Sequence, residues 1–278
     1  MTVGSALARA RDYLQRRGVA DSQVDAELLL GHAVGLTRSQ LIVARDRRLQ
    51  TEELAAFEAL LERRGRREPV AYVLGEWGFR RVTLKLDARA LVPRPETEIV
   101  VERCLALLHE LAEPQVLDVG TGSGAIALAI ADEHAGARVT AIESSGGALA
   151  LAAENVARAR LAPRIRLVRR DLADGVPEGP FDLVVANPPY VAADELAHLE
   201  PEVREWEPRG AILDRGHTSA VITAARDALR AGGWLVLETH GERAREVARA
   251  VVENGYGPPL ITEDLAGRER VVEARWPG

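Results

Sequence analysis

The stretch VLDVGTGSGAIALAIA, residues 116–131, decides the fold. It begins with a short apolar run, passes through Gly120, Gly122 and Gly124, and continues as a helical apolar pattern. Glycine is favoured in such a turn because a backbone with positive φ, or one that a ligand approaches closely, leaves no room for a Cβ atom. The stretch therefore predicts a strand, a ligand-binding turn and a helix, in that order.

Apolar runs and helical patterns alternate along the chain beyond this turn. The strand-like runs are residues 139–142, 165–168, 181–186 and 234–237, and the helical patterns include residues 126–131, 149–156 and 247–252. Such alternation predicts an α/β fold in which crossover helices join parallel strands into a doubly wound, Rossmann-like sheet. Residues 259–263 and 270–275 have no helix between them, so we expect an antiparallel hairpin at the end of the sheet.

The first part of the chain has a helical pattern instead. Apolar side chains recur at helical spacing over residues 5–68, and Ser5, Ser22 and Thr51 are residues of the type that caps a helix. Four short helices in a small bundle fit this pattern. The bundle carries no chemistry of its own, so we interpret residues 1–75 as a substrate-docking domain.

After the helical segment, the apolar residues recur at every second position, as they do in a strand. Apolar residues alternate with charged ones between residues 77 and 92, and a turn is possible near Asp87. We therefore predict a β-hairpin linker over residues 76–92. The doubly wound domain then takes up residues 93–278.

Composition limits the class of protein. The chain has 278 residues, 47% of them hydrophobic, which suits two domains. It has no uncharged apolar run of about 18 residues, and its first residues carry charges where a secretory signal needs an apolar stretch, so we expect a cytoplasmic protein without a membrane partner. The single cysteine, Cys104, excludes an internal disulfide, and the six histidines show no metal-ligand spacing.

Three carboxylates at or near predicted strand ends are candidate cofactor-binding residues, and one of them distinguishes between two cofactors. The glycines match the dinucleotide fingerprint, and Glu143, ending the second strand, suits the ribose of either NAD or S-adenosyl-L-methionine. Asp118 favours S-adenosylmethionine, because a carboxylate two residues before the glycines attracts a methionine ammonium and repels a pyrophosphate. Asp171, ending the third strand, is placed to meet the adenine amino group. The alternative for each is a carboxylate that caps the next element.

The fourth strand ends in the motif Asn187-Pro188-Pro189-Tyr190. The side-chain oxygen of Asn187 and the carbonyl of Pro188 are two acceptors suited to the hydrogens of a planar NH2 group, and they stabilise positive charge that grows on its nitrogen. Pro189 stiffens the direction of the Pro188 carbonyl, and Tyr190 would pack on the flat face of the acceptor amide. We also expect Asn187 to be a cofactor-binding residue. The alternative is a rigid turn that only ends a strand.

Two motifs together resemble a known family. The NPPY motif is similar to that of methyltransferases acting on adenine or guanine amino groups and on glutamine amides. The segment LVPRPETE, residues 91–98, resembles the LIPRPETE element of the PrmC/HemK protein-(glutamine-N5) methyltransferases, which modify peptide chain release factors. The alternative for this segment is a helix start with Pro95 in the first turn. The resemblance implies a methyltransferase domain over residues 93–278 and the GGQ glutamine of class I release factors as substrate.

A nucleic-acid amino-methyltransferase is the second hypothesis, because it would share the fold and the NPPY motif. Residues 86–278 carry 21 basic against 31 acidic side chains, and aromatic residues make up only 4% of the chain, so the sequence argues against a nucleic-acid partner. The chain departs from the family pattern at residues 213–217 and 238–243. We assign no role to either segment from the resemblance.

Overall fold

The computed structural model describes residues 1–278, apart from the side chain of Glu242. It divides the chain into two compact units. Unit 1 contains residues 1–76 together with the segment 199–206, and unit 2 contains residues 77–198 and 207–278. No pattern in the sequence indicated that residues 199–206, which follow the NPPY motif, pack with the N-terminal helices.

Unit 1 is built from α1 (Val3–Arg16), α2 (Ser22–Val34), α3 (Arg38–Val43), α4 (Thr51–Gly65) and α5 (Val70–Leu74). Buried apolar side chains at helical spacing join them in one core, which includes Leu14, Leu29, Leu30 and Phe57. The helical character predicted for residues 5–68 is thus confirmed. Helix α5 was not predicted.

The predicted caps of α1, α2 and α4 were wrong by one to three positions. Helix α1 begins earlier because Thr2 is its cap: the Thr2 hydroxyl accepts from the Ser5 N–H at 3.2 Å, while Ser5 Oγ accepts from the Thr2 N–H at 2.9 Å. Ser22 and Thr51 are the first residues of their helices, preceded by caps at residues 21 and 50. Side-chain type alone does not fix a cap, because neighbouring polar residues compete for the same backbone donors.

A two-stranded sheet follows, formed by β1 (Glu76–Phe79) and β2 (Val82–Lys85). The turn between them contains Arg80, which has a positive φ of 48°. Its guanidinium bonds both carboxylate oxygens of Glu133 and the carbonyl of Glu98, which holds this backbone in place. The predicted strand pair is therefore present, but the turn expected near Asp87 is a separate one beyond it.

The described residues of unit 2 form a seven-stranded sheet. Its strands are β3 (Gln115–Val119), β4 (Arg138–Glu143), β5 (Ile165–Arg169), β6 (Phe181–Ala186), β7 (Leu229–Glu238), β8 (Leu260–Glu263) and β9 (Glu269–Arg275), in the order β5-β4-β3-β6-β7-β9-β8. Strands β3 to β7 are parallel, and β9 is antiparallel to both neighbours. The doubly wound α/β fold and its terminal hairpin are confirmed.

Helices flank this sheet: α6 (Thr97–Leu108), α7 (Ala125–Glu133), α8 (Gly146–Arg158), α9 (His217–Ala228) and α10 (Ala244–Glu253). Helix α6 begins two residues after Pro95, so this proline does not stand in the first helical turn. None of the helices within the described residues combines the length and the apolar character needed to cross a membrane.

A buried ion cluster holds the segment 199–206 in unit 1. Arg64 Nε lies 2.6 Å from Asp25 Oδ2, and Arg64 Nη1 lies 2.7 Å from Glu202 Oε1. Arg67 adds a second contact to Glu202, at 2.6 Å from Oε2. The side chains of Arg64 and Asp25 are each only 7% exposed, and burial raises the pKa of Asp25 although Arg64 opposes this rise. Arg64 thus bridges Asp25 and Glu202, and Arg67 is a second cation for Glu202.

We expect Arg64→Leu to lower the free energy of unfolding by about 3–5 kcal/mol, because it leaves the buried carboxylate of Asp25 without its partner. Chemical denaturation of the full chain measures this loss. Arg9→Met is the matched control: Arg9 pairs with Glu58 within the same unit, but both side chains are about half exposed, so its loss should stay below about 1 kcal/mol. Equal effects of the two substitutions would contradict the structural role of Arg64.

Candidate active site

The glycine turn after β3 adopts the backbone that its sequence predicts. Gly120 and Gly122 have φ values of 74° and 58°, and a Cβ atom added at either would meet open space rather than protein. Gly124, with a φ of 85°, is different, because a Cβ there would lie 3.3 Å from Leu128 and 3.4 Å from Ala152. The first two glycines therefore border a ligand space, whereas the third allows close packing between α7 and α8.

The N–H groups of this turn are used inside the protein. Those of Gly120 and Thr121 both donate to the carbonyl of Ile142, at 2.9 and 3.0 Å, and that of Gly122 donates to Glu143 Oε2 at 3.0 Å. A pyrophosphate site needs such donors free and aimed at the ligand. The turn thus offers a close approach to backbone without an anion cradle, which disfavours NAD.

A cavity of about 390 Å³ opens beside this turn at the carboxyl ends of the parallel strands. Strand order reverses here, because β3 lies between β4 and β6, and this is where ligands bind in doubly wound folds. The cavity walls come from the glycine turn, the ends of β4, β5 and β6, and the segment leading to α9; they include Gly120, Gly122, Ile142, Glu143, Asp171, Leu172, Asn187, Pro188, Pro189 and Pro208.

Glu143 has one role in the wall that the structure shows directly. Its carboxylate accepts from the N–H of Gly122 and, at 2.8 Å, from the N–H of Ser145, which starts α8. Oε1 accepts from the Ser144 hydroxyl as well, at 3.5 Å, whereas Oε2 keeps a further lone pair for a ligand. Asp171 lines the cavity as well, while its Oδ1 accepts from the Ala173 N–H at 2.9 Å. Glu143 and Asp171 thus accept from backbone N–H groups, as capping carboxylates do. Both also border the space for a ligand.

The NPPY motif forms the opposite part of the wall. Asn187, Pro188 and Pro189 line the cavity directly after β6. The Asn187 side-chain amide donates from Nδ2 to the hydroxyl of Thr97 at 3.4 Å. Since the two ends of a carboxamide point in opposite directions, this contact leaves the oxygen free to accept elsewhere.

Comparison with known proteins adds to this geometry. Residues 5–75 match the model of the PrmC N-terminal domain, and residues 99–200 match that of the methyltransferase small domain. The chain is 38% identical to the release factor glutamine methyltransferase of Geobacter sulfurreducens, over 99% of this chain and 96% of the relative. With that of Cereibacter sphaeroides it shares 40% identity, over 100% and 99%.

The chain belongs to the release factor glutamine methyltransferase family. It is an enzyme that takes its methyl group from S-adenosylmethionine. Among solved structures, the catalytic domain of hMettl16 in complex with an RNA hairpin is similar in fold, with a TM-score of 0.54 and 18% identity over 70% of this chain and 75% of that one. The cavity fits the cofactor, because its glycine turn admits close approach and the carboxylates of Glu143 and Asp171, which can accept hydrogen bonds from hydroxyl and amino groups, border it.

Three residues predicted to be at the site of this methyltransferase do not line its cavity: Asp118, Gly124 and Tyr190. Asp118 is buried behind the glycine turn, where its Oδ2 accepts from the Thr121 hydroxyl at 2.6 Å. Burial raises its pKa to about 7. Tyr190 is half-buried, its ring centroid lies 6.0 Å from that of His240, and burial raises its pKa. The ligand contacts proposed for Asp118 and Tyr190 stay predictions.

The structure also shows site residues that the sequence did not indicate. Thr97, at the start of α6, is 3% exposed and borders the cavity. Pro208, Gly210 and Ala211 form another wall, which a contact of 2.7 Å between Arg94 and the buried Glu207 holds in place. The resemblance of the segment LVPRPETE covered Thr97, but only the folded chain relates Thr97 to Asn187.

We expect Glu143→Ala to weaken S-adenosylmethionine binding about 10- to 100-fold, because a carboxylate that accepts charge-assisted bonds contributes about 1.5–3 kcal/mol for each bond. The same change removes the acceptor for the Gly122 N–H. Glu143→Gln, which keeps one acceptor oxygen, should lose less. Calorimetric titration checks both variants, and an unchanged affinity of the folded alanine variant would contradict the assignment of Glu143 to the cofactor.

Proposed function

We propose that this enzyme methylates the side-chain amide nitrogen, N5, of the glutamine in the GGQ motif of class I peptide chain release factors. The observation that carries the proposal is the position of Asn187 and Pro188, which border the cofactor cavity with two fixed acceptors. A glutamine side chain ends in an NH2 group with two hydrogens, which matches two acceptors. The names of the relatives support the same class of substrate.

The chemistry asks mainly for positioning. S-adenosylmethionine supplies, when bound, a methyl group on a positively charged sulfur that is already a strong electrophile. An amide nitrogen is a weak nucleophile because its lone pair is delocalised over the carbonyl group. The enzyme therefore gains most by holding the nitrogen in line with the methyl carbon.

Asn187 and Pro188 hold the amide nitrogen and stabilise the positive charge that develops on it. As the nitrogen uses its electron pair to bond the methyl carbon, positive charge grows on it and its hydrogens become stronger donors. The Asn187 side-chain oxygen and the Pro188 carbonyl stabilise that charge more in the transition state than in the ground state. The bond between the methyl carbon and sulfur breaks as the nitrogen–carbon bond forms, and its electron pair stays on sulfur. One of the two hydrogens leaves as a proton to water, so the product is a neutral N-methyl amide.

We further propose that unit 1 docks the release factor. It matches the PrmC N-terminal domain, and the residues that border the cavity all belong to unit 2. Unit 1 presents an apolar pair to solvent on α3, where Ile42 is 72% exposed and Val43 is 89% exposed. Exposed apolar side chains side by side are typical of a binding surface.

The direct test is methyl transfer to a purified class I release factor, followed by mass spectrometry of the GGQ peptide. We expect the peptide to gain one methylene, and a factor carrying glutamate in place of that glutamine to gain none. A short GGQ peptide should react more slowly than the intact factor if unit 1 contributes to docking. Transfer to RNA instead of the factor would favour the nucleic-acid alternative.

We expect Asn187→Ala to bind S-adenosylmethionine nearly as well as the wild type but to lose turnover by a factor of about 10²–10³, the usual loss for one preorganised transition-state hydrogen bond. Single-turnover rates on the release factor, together with calorimetric titration, separate these two effects. A wild-type rate for the alanine variant would mean that the NPPY motif is only a rigid turn that ends a strand.

Asn187→Asp is the sharper control for this prediction. It keeps an acceptor oxygen and the shape of the side chain but loses the NH2 group that bonds Thr97. Because the structure shows that this NH2 group is held, we expect the aspartate variant to be as poor as the alanine variant. Clearly higher activity of the aspartate variant would mean that the oxygen alone is needed.

A further inference from the structure

A single buried amide, the side chain of Asn155 on α8, joins two separate parts of the chain. Its Oδ1 accepts from the Lys85 N–H at 2.7 Å, and its Nδ2 donates to the carbonyls of Lys85 and Ser123, at 3.1 and 2.9 Å. Asn155 is only 1% exposed. An amide carries two donor hydrogens, so both are used inside the protein. The amide therefore cannot turn over without leaving buried groups unpaired.

One partner of this amide lies in the glycine turn. Ser123 is between Gly122 and Gly124, both of which have positive φ, and it borders the cofactor cavity. Glycine on both sides gives the backbone of Ser123 more freedom than other neighbours would. The bond from Asn155 to the Ser123 carbonyl therefore restricts the turn at the point where its backbone is most free.

The other partner leads to a second wall of the same cavity. Lys85 is the last residue of β2, and residues 89–91 border the cavity shortly after it. Glu154, which precedes the asparagine on α8, supports the same stretch, because its carboxylate bonds the side chains of Lys85 and Arg89 at 2.7 and 2.8 Å. We call residues 85–91 the wall segment. Two consecutive residues of α8 thus hold the wall segment, and one of them also holds the glycine turn.

We propose that Asn155 is a positioning residue for S-adenosylmethionine, which fixes the glycine turn against the wall segment in the conformation that binds the cofactor. Asn155 is not among the described residues that border the cavity, so it acts through Ser123 and Lys85. Without the amide, the turn adopts other conformations for part of the time, and the apparent dissociation constant of the cofactor rises in proportion. This inference does not depend on which acceptor the enzyme methylates.

Loss of Asn155 should affect cofactor binding and spare the methyl-transfer step. At saturating cofactor, the turn is in its binding conformation in every occupied molecule, so kcat should stay near the wild-type value while KM for the cofactor rises. A residue that only stabilises the fold behaves differently. Its loss lowers the thermal midpoint, but the molecules that remain folded bind the cofactor with unchanged affinity.

The experiment compares Asn155→Ala with Tyr256→Phe by calorimetric titration with S-adenosylmethionine, at a temperature where circular dichroism shows both variants folded. Tyr256 is the matched control: its buried hydroxyl donates to the Ile222 carbonyl at 3.0 Å in the same unit, and neither is among the described residues that border the cavity.

We expect Asn155→Ala to bind the cofactor about 2- to 10-fold more weakly, the usual effect of one hydrogen bond on an equilibrium constant. Tyr256→Phe should bind it as the wild type does. Wild-type affinity of the alanine variant would overturn the proposal, as would an equal loss in Tyr256→Phe. Calorimetry needs no methyl acceptor, so the result is independent of whether the release factor is the substrate.

A measurement on the wild type applies even where Asn155→Ala does not fold. Coupling between two sites is reciprocal, so saturating cofactor should slow hydrogen exchange of the Lys85 amide, which donates to Asn155 Oδ1. The Ala159 amide is the control, because it donates to the main-chain carbonyl of Asn155 at 2.9 Å and reports on α8 alone. We expect stronger slowing at Lys85 than at Ala159. Equal slowing of the two amides, or none at Lys85, would overturn the proposal.

Discussion

The register of the parallel ladder is the constraint on which the site depends. Val119 on β3 is paired with Ile142 on β4 and with Ala186 on β6, and Ala186 is paired with Leu237 on β7. The residues that follow these four are Gly120, Glu143, Asn187 and Glu238. Backbone hydrogen bonds alone thus bring a turn, two carboxyl groups and an amide to one level at the edge of the sheet.

This shared edge explains how one fold serves cofactors of opposite charge. A glycine turn with free N–H groups attracts a phosphate, whereas here the carbonyl of Ile142 and the carboxylate of Glu143 take those donors. The carboxylates of Glu143 and Asp171 border the cavity beside this turn, and so do Arg89 and Arg170. The spacing of glycines is common to both kinds of site. The two kinds of site differ in the group that accepts a hydrogen bond from each N–H of the turn, which is a ligand in one and the protein itself in the other.

The sequence predicted those parts of the molecule that depend on local pattern. The strand, turn and helix at residues 116–131, the doubly wound sheet and its terminal hairpin follow from periodicity and from the backbone freedom of glycine. The positions of Glu143 and Asn187 at strand ends followed from the same pattern. These predictions succeeded because the residues involved are close together in the chain.

The rest depends on contacts between distant residues. The carboxyl group of Asp118 accepts from the Thr121 hydroxyl, a contact that no spacing in the sequence indicates, and its predicted contact with the ligand stays a prediction. Thr97 and Asn187 are ninety positions apart, and their contact requires α6 to begin beside the end of β6. The helix caps failed for a different reason, since Ser5 and Thr2 are both suitable and only their mutual bonds decide between them.

The ion cluster around Arg64 has a consequence for synthesis on the ribosome. A chain emerges from its N-terminus, so the helices of unit 1 appear long before Glu202, and for most of translation Arg64 and Arg67 are without this carboxylate. Unit 1 therefore cannot reach its final packing as an early, independent folding step. The ion cluster of unit 1 is therefore complete only after residue 202 has left the exit tunnel.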